Sequence, residues 1–363
     1  AHPNRELPPE LLAAARGELA ASAEAVALAR TFTERPWGHR DIDLAPNVLD
    51  TKLQDTQDTR HAAALLRWAC AVAVADRDAR RAAADVHAML NASRSIGDEP
   101  FLISQLVRIA GRNGSVSTAE RVFAQLPDAN LDVFQTALAA DAEEPLLLYG
   151  VRGDRAAFDR LFDNLLTGAT TPGQSIDRGF NDLGGRLGWW HYRAHLTSDR
   201  AYAFGWMTHC VEAARLPISE QRAAFAAVPV PPNEPNRILS RLMLPAVDKV
   251  AAASWRSTAE ARCAVAGIAC ERFRQRHSRF PNELAELVPA FLSAAPLDPY
   301  TGEALRFAKS DRGVVVFSVG PDGRGTCDLD TPADPSNPQP RFRLWNPEHR
   351  HLPPEPPPAE PAP

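Results

Sequence analysis

Three aspartates near the end of the chain have the type and spacing to hold a hard cation. In FSVGPDGRGTCDLD, Phe317 to Asp330, carboxylates stand at Asp322, Asp328 and Asp330. Calcium takes about six to eight oxygens from carboxylates, carbonyls and water. Gly320, Gly323 and Gly325 let the backbone curl so that carbonyls turn inward. Asp328 and Asp330 lie two apart and so share one side of an extended segment. Crowded acids repel one another unless a cation sits among them. The expected role is structural: an ion that pins the loop, with no open coordination position for catalysis. The alternative for the same residues is a solvated surface turn, which aspartate and glycine also favour.

A second candidate lies mid-chain. His191 and His195 are four apart, the spacing of metal ligands on one helical face. No glutamate follows His191 as in HExxH, and no third ligand is evident. The first of these histidines lies within a glycine-rich stretch, TPGQSIDRGFNDLGGRLGWWHY, whose last aromatics are Trp189, Trp190 and Tyr192. Either the aromatics plug a helical core or they wall a ligand groove. The first reading expects Trp189, Trp190 and Trp206 to be buried; the second allows a hydrolase with its site near Trp189–His195. No GxSxG elbow, P-loop or dinucleotide-binding fingerprint occurs. The acids of GDRAAFDRLFDN read as a solvated helix face. Among five cysteines no CxxC occurs. Cys263 and Cys270 sit roughly 10 Å apart on a helix, too far for a disulfide. They are expected to be small buried apolar residues.

The whole chain of 363 residues has a net charge of −5 and 45% hydrophobic residues. That balance supports packed cores and argues against a dedicated nucleic-acid binder, which would show a basic stripe. Lys52, Lys249 and Lys309 are the only lysines, so the basic residues are nearly all arginine. No apolar run approaches the ~20 residues of a membrane span. The start at Ala1, polar and proline-bearing, suits a mature protein after signal-peptide removal or a start downstream of a membrane anchor. An unprocessed start would look the same.

The elements that must position these residues are mostly helices. A helical opening over Leu11–Arg30 precedes an irregular stretch, 36–50. Helical spacing follows in Leu65, Leu66, Ala69 and Val72, then in Val86, Met89 and Leu90. Asp98, Glu99 and Pro100 read as the start of a helix that stops at Gly111, and Ser117 with Glu120 as a capping box for the next. Phe158, Leu161, Phe162 and Leu165 form a stripe closed by Gly168. Ser198 reads as the cap of a helix carrying Tyr202, Trp206 and Cys210, and Pro245 as a bend in a later one. From Ser257 the character changes. A helix to His277 presents Cys263, Ala266, Gly267 and Cys270 on one face, small enough to lie close against a sheet. DPYTG, Asp298 to Gly302, is a β-turn, and strands flank a turn at Asp311–Gly313. The expected fold is mainly α with a C-terminal α+β module: an irregular α-solenoid or helical bundle, then a helix packed on a small antiparallel sheet. The expected divisions are 1–50, an N-terminal helix and irregular segment; 51–256, helical hairpins; 257–345, the α+β module; and 346–363, a proline-rich extended tail.

Three segments of that module, ERFRQRHSRFPNELAELVP, PLDPYTGEALRF and VVVFSVGPDGRG, carry a family resemblance. In order and spacing they resemble the globular domain of the major pseudopilin of type II secretion, with its GRYP, DPWG and FSLGADG stretches. The match covers about 258–330. The whole chain also looks like exported bacterial proteins that join a helical region, here including DEPFLISQLVRIA, to a pseudopilin-like end. The resemblance implies a calcium loop in which Asp322, Asp328 and Asp330 stand at the ligand positions, although the loop here is shorter than the family's. The family's polymerising stem helix is replaced by over 200 residues of other structure, so filament assembly is not implied. The resemblance implies an extracytoplasmic location, and together these features point to a non-enzymatic exported scaffold or protein-interaction subunit of a larger assembly.

Overall fold

A computed structural model describes residues 2–175, 183–229, 234, 236–331 and 338–354. The glycine-rich stretch over 176–182 and the end of the tail over 355–363 lie outside the described residues. The helices are α1 (Pro9–Ala21), α2 (Ala23–Arg30), α3 (Gln54–Ala75), α4 (Ala79–Arg94), α5 (Leu102–Gln125), α6 (Asp132–Ala142), α7 (Leu146–Thr167), α8 (Pro172–Ser175), α9 (Leu183–Arg193), α10 (Leu196–Ala214), α11 (Ile218–Ala226), α12 (Ile238–Met243) and α13 (Pro245–His277). Three antiparallel strands follow in the order β1 (Arg306–Ser310), β2 (Gly313–Phe317) and β3 (Arg341–Trp345). The fold is thus mainly α with a small C-terminal sheet. The first two strands match the sequence expectation; the third has no counterpart in it.

The helices form a bundle rather than a one-dimensional stack. The central α5 touches α3, α4, α7, α13 and β3. It also runs through two expected breaks. Gly111 is interior to α5, and a Cβ there would collide with the Ser93 side chain of α4. Close helix–helix packing outweighs the ~1 kcal/mol by which glycine disfavours a helix. Ser117 and Glu120 form no cap: the Ser117 hydroxyl donates to the Gly114 carbonyl, and Glu120 grips Arg343 of β3. At the start of α5, the Leu102 N–H is met by Asp154 of α7 rather than by Asp98. The expected C-cap at Gly168 is present, with φ +77°. Ser198 lies in the first turn of α10, with His195 as the cap residue. Pro245 does not bend a helix; it begins one, at the position where a missing N–H costs nothing.

Helix α13 starts well before the expected Ser257 because Val247, Val250, Ala251 and Trp255 bury against α10 and α11. Its second half lays Cys263, Ala266, Gly267 and Cys270 on the sheet as expected, all of them buried. A Cβ at Gly267 would collide with the Phe342 ring of β3. One core cluster runs from Cys70, Val86 and Phe123 through Ala266 and Cys270 to Val316 and Phe342, so residues on both sides of the 256/257 division share it.

Candidate functional site

The aspartate loop departs from β2, whose five residues are all buried. Val314 and Val316 face α13, in the main core. Val315 and Phe317 point the other way and are covered by Cys327 of the loop, while Leu329 packs on Ala124 and Trp345. Cys327 and Leu329 point in, so Asp328 and Asp330 point out, as alternation along an extended segment requires. The loop is therefore the cover of the sheet's second face. Its root is fixed by an acid outside the expected set. Asp298 accepts from the Ser318 hydroxyl at 2.8 Å, the Val319 N–H at 2.9 Å and, within its own turn, the Tyr300 N–H at 2.9 Å.

The three expected ligands have separate partners. Asp322 pairs with Arg324 at 3.2 Å, and Asp330 pairs with Arg312. Asp328 accepts from the Thr331 hydroxyl at 2.8 Å and from the N–H groups of Thr331 and Asp330. The Thr331 hydroxyl, then these N–H groups, hold its carboxyl below the usual range. Among the described residues no group of three His, Cys, Asp or Glu side chains is placed to hold a metal ion. In this arrangement the acids do what turn residues do: they bond their own backbone and nearby arginines. A cation would have to take Asp322 and Asp330 from those arginines.

Around Trp189–His195 the aromatics divide. Tyr192 and Trp206 are buried and Trp189 is half-buried, but Trp190 is 81% exposed. The expectation that all three tryptophans are buried fails at Trp190, because adjacent residues on a helix lie ~100° apart and α9 buries only one face. His191 and His195 stack edge to face, ring centres 5.5 Å apart, and among the described residues neither bonds a carboxylate. The nearby buried acid, Asp199, is used otherwise. It accepts from the Tyr192 and Ser240 hydroxyls and from the Leu239 N–H at 3.1 Å. It thereby caps α12. Burial and the Asp199 hydrogen bond push the Tyr192 hydroxyl far up. The Ser240 hydroxyl gives its hydrogen bond to Asp199 and, among the described residues, meets no histidine or lysine base. This constellation is a structural knot.

An open groove between α6, α13 and the segment 291–297 has a different character. It encloses about 530 Å³. Its floor is apolar and mostly small: Ala139, Ala142, Val265, Phe291 and Leu292. Two arginines of α13 brace its ends. Arg272 pairs with Asp132 at 2.8 Å and donates to Gln135. Arg262 forks onto Glu143 at 2.8 and 3.0 Å and donates to the Leu297 carbonyl. Ser293 and Ala294 form an exposed lip. Among the described residues, the backbone N–H groups of Ser293, Ala294 and Ala295 have no hydrogen-bond partner. A chain laid in the groove would meet a shallow apolar floor beside this exposed bend. Nothing in the sequence marks these residues, since alanine is common in any helix and the floor comes from three separate segments. No protein family, no curated protein and no solved structure matches this chain.

Proposed function

We propose that the protein is a non-catalytic interaction subunit that holds an extended segment of a partner protein in the α6–α13 groove. The observation that carries this reading is the pairing of a small apolar floor with a lip of unpaired backbone N–H groups. The lip is a bend rather than a sheet edge, so it offers a guest a few separate main-chain donors, and most of the contact falls on the apolar floor. Alanines at 139 and 142 leave room for small or medium apolar side chains of the guest. Because both arginines are already bonded to acids, the groove favours an uncharged segment. The pseudopilin-like order of motifs supports an extracytoplasmic assembly as its setting, and no helix among the described residues is long and apolar enough to cross a membrane.

A photocrosslinking residue placed at Ser293 in the native host tests this. The expected result is one discrete adduct, lost when Ala142→Trp fills the floor. Absence of an adduct, or one indifferent to Ala142→Trp in a variant that still folds, overturns the reading.

A further inference from the structure

A second cavity lies on another flank of α5, where the N-terminal segment crosses α3 and β3. It encloses about 490 Å³ and continues along α3 into a smaller space of about 140 Å³. The two adjoin at Leu7, Ala71, Val74 and Arg121, and are treated together as one slot along α3. A volume of this size suits a small organic ligand.

Its lining is apolar along α3 and polar at both ends. Leu7, Trp68, Ala71 and Val74 form an apolar wall that follows one side of α3. From Arg67 to Ala75 that wall runs ~12 Å at helical rise, about the length of a ten-carbon chain. Polar groups flank it at both ends: Ser117, Thr118 and Arg343 near Arg67, and Glu6, Gln125 and His351 near Ala75. Around the whole slot stand four arginines, Arg5, Arg67, Arg121 and Arg343, against two carboxylates, Glu6 and Glu120. Both carboxylates are already engaged: Glu120 grips Arg343 at 3.0 Å through each oxygen, and Glu6 pairs with His351. Burial and Arg77 push the His351 ring below its ordinary range, so it adds little positive charge near neutrality. By formal charge the lining holds two positives more than negatives beside an elongated apolar wall. Arg121 already donates to the Arg5 carbonyl and Arg5 to the Pro353 carbonyl, both at 3.0 Å, so the exposed Arg67 is the main anchor for an anionic head. Burial lowers the Arg121 guanidinium below its ordinary value, a cost that an added anion would relieve.

We propose that this slot binds a single-chain amphipathic anion, its carboxylate or phosphate head at the Arg67–Arg121 side and its acyl chain along Trp68, Ala71 and Val74. Binding would tie the N-terminal segment more firmly to α3 and α5, because the ligand touches all three. The site is separate from the α6–α13 groove and does not depend on its role.

Calorimetric titration of the whole chain with decanoate, decyl phosphate and decanol below their aggregation limits tests the assignment. The expected result is saturable one-to-one binding of the anions, at least tenfold weaker binding of decanol, and loss of anion binding in Ala71→Trp. Arg67 is exposed, so Arg67→Gln should fold normally and weaken the anions tenfold or more while leaving decanol unchanged. With these results, tighter binding of decyl phosphate points to a lipid phosphate as the source, and equal or tighter decanoate to a free fatty acid. Absence of saturable anion binding, equal affinity for decanol and decanoate, or unchanged anion binding in folded Arg67→Gln overturns the proposal.

Discussion

The buried charge that matters most is Asp141. It lies fully buried at the end of α6, with Arg108 at 2.6 Å, Arg112 at 2.5 Å and Arg94 at 3.8 Å. Burial alone would raise its carboxyl, but Arg112 and Arg108 outweigh that and hold it below the usual range. Removing one member of such a buried set leaves the others without a counter-charge, which costs about 3–5 kcal/mol. Asp141→Asn should lose that much in urea unfolding; a loss under about 1 kcal/mol would mean the arginines are satisfied elsewhere. Two other carboxyls act in the opposite sense. Burial pushes Asp154 and Glu260 up to about 7. A raised folded-state value means the folded protein binds protons that the unfolded chain has released. Their contribution is full below the unfolded values and is lost as pH rises through about 7. Stability should therefore fall between about pH 5 and 7, by on the order of 1 kcal/mol per pH unit for the pair once solvent access is discounted. Melting curves of Asp154→Asn/Glu260→Gln across that range should depend less on pH than those of the wild type; an identical slope would remove these groups as the cause.

Among the elements, the contact between α13 and the sheet is the tightest point. Gly267 lies under the Phe342 ring, with no room for a Cβ. Gly267→Ala must push the strand or the ring away, and overpacking of this kind costs about 1–3 kcal/mol. Phe342→Leu in the same chain should recover part of the loss, so a double-mutant cycle should show coupling rather than additivity. Additive losses would place the strain elsewhere. On the far face of the sheet, the loop with Asp328 and Asp330 packs inward through Cys327 and Leu329. The loop buries these two side chains, and its acids lie on the exposed side.

For the molecule as a whole, α13 is the shared beam. Its first half belongs to the core with α10 and α11, and its second half to the core with α5, α6 and the sheet. The described part of the tail is also tied in. Arg350 is buried and bonds both oxygens of Glu271, the Phe123 carbonyl and the Trp345 carbonyl. The expected extended arm therefore starts later than residue 346, because this guanidinium fastens the segment to α5 and α13. Unfolding of the full chain should be one cooperative transition by both far-UV and near-UV circular dichroism. Two separated transitions, with the C-terminal module melting alone, would argue for independent units at the 256/257 division.

Local periodicity and turn chemistry account for what was legible in the residues alone. Helical spacing marks the run of helices, Gly168 a true helix end, and Asp311–Gly313 beside the valine-rich strand a hairpin. The small face from Cys263 to Cys270 announces a helix on a sheet. Packing between distant segments settles the rest. Gly111 and Ser117 carry the local marks of helix ends, yet α5 continues because four neighbouring helices and a strand enclose it. Strand β3 follows a long proline-rich stretch and is held in place by pairing with β2. The aspartates at 322, 328 and 330 have ligand chemistry in sequence, but arginines from the same module and the inward pull of Cys327 and Leu329 set where they point. The groove and the slot are made of alanines, a few apolar side chains and arginines from distant segments. No local pattern marks such residues, because what distinguishes them is the space left between elements, and that space exists only once the elements have packed.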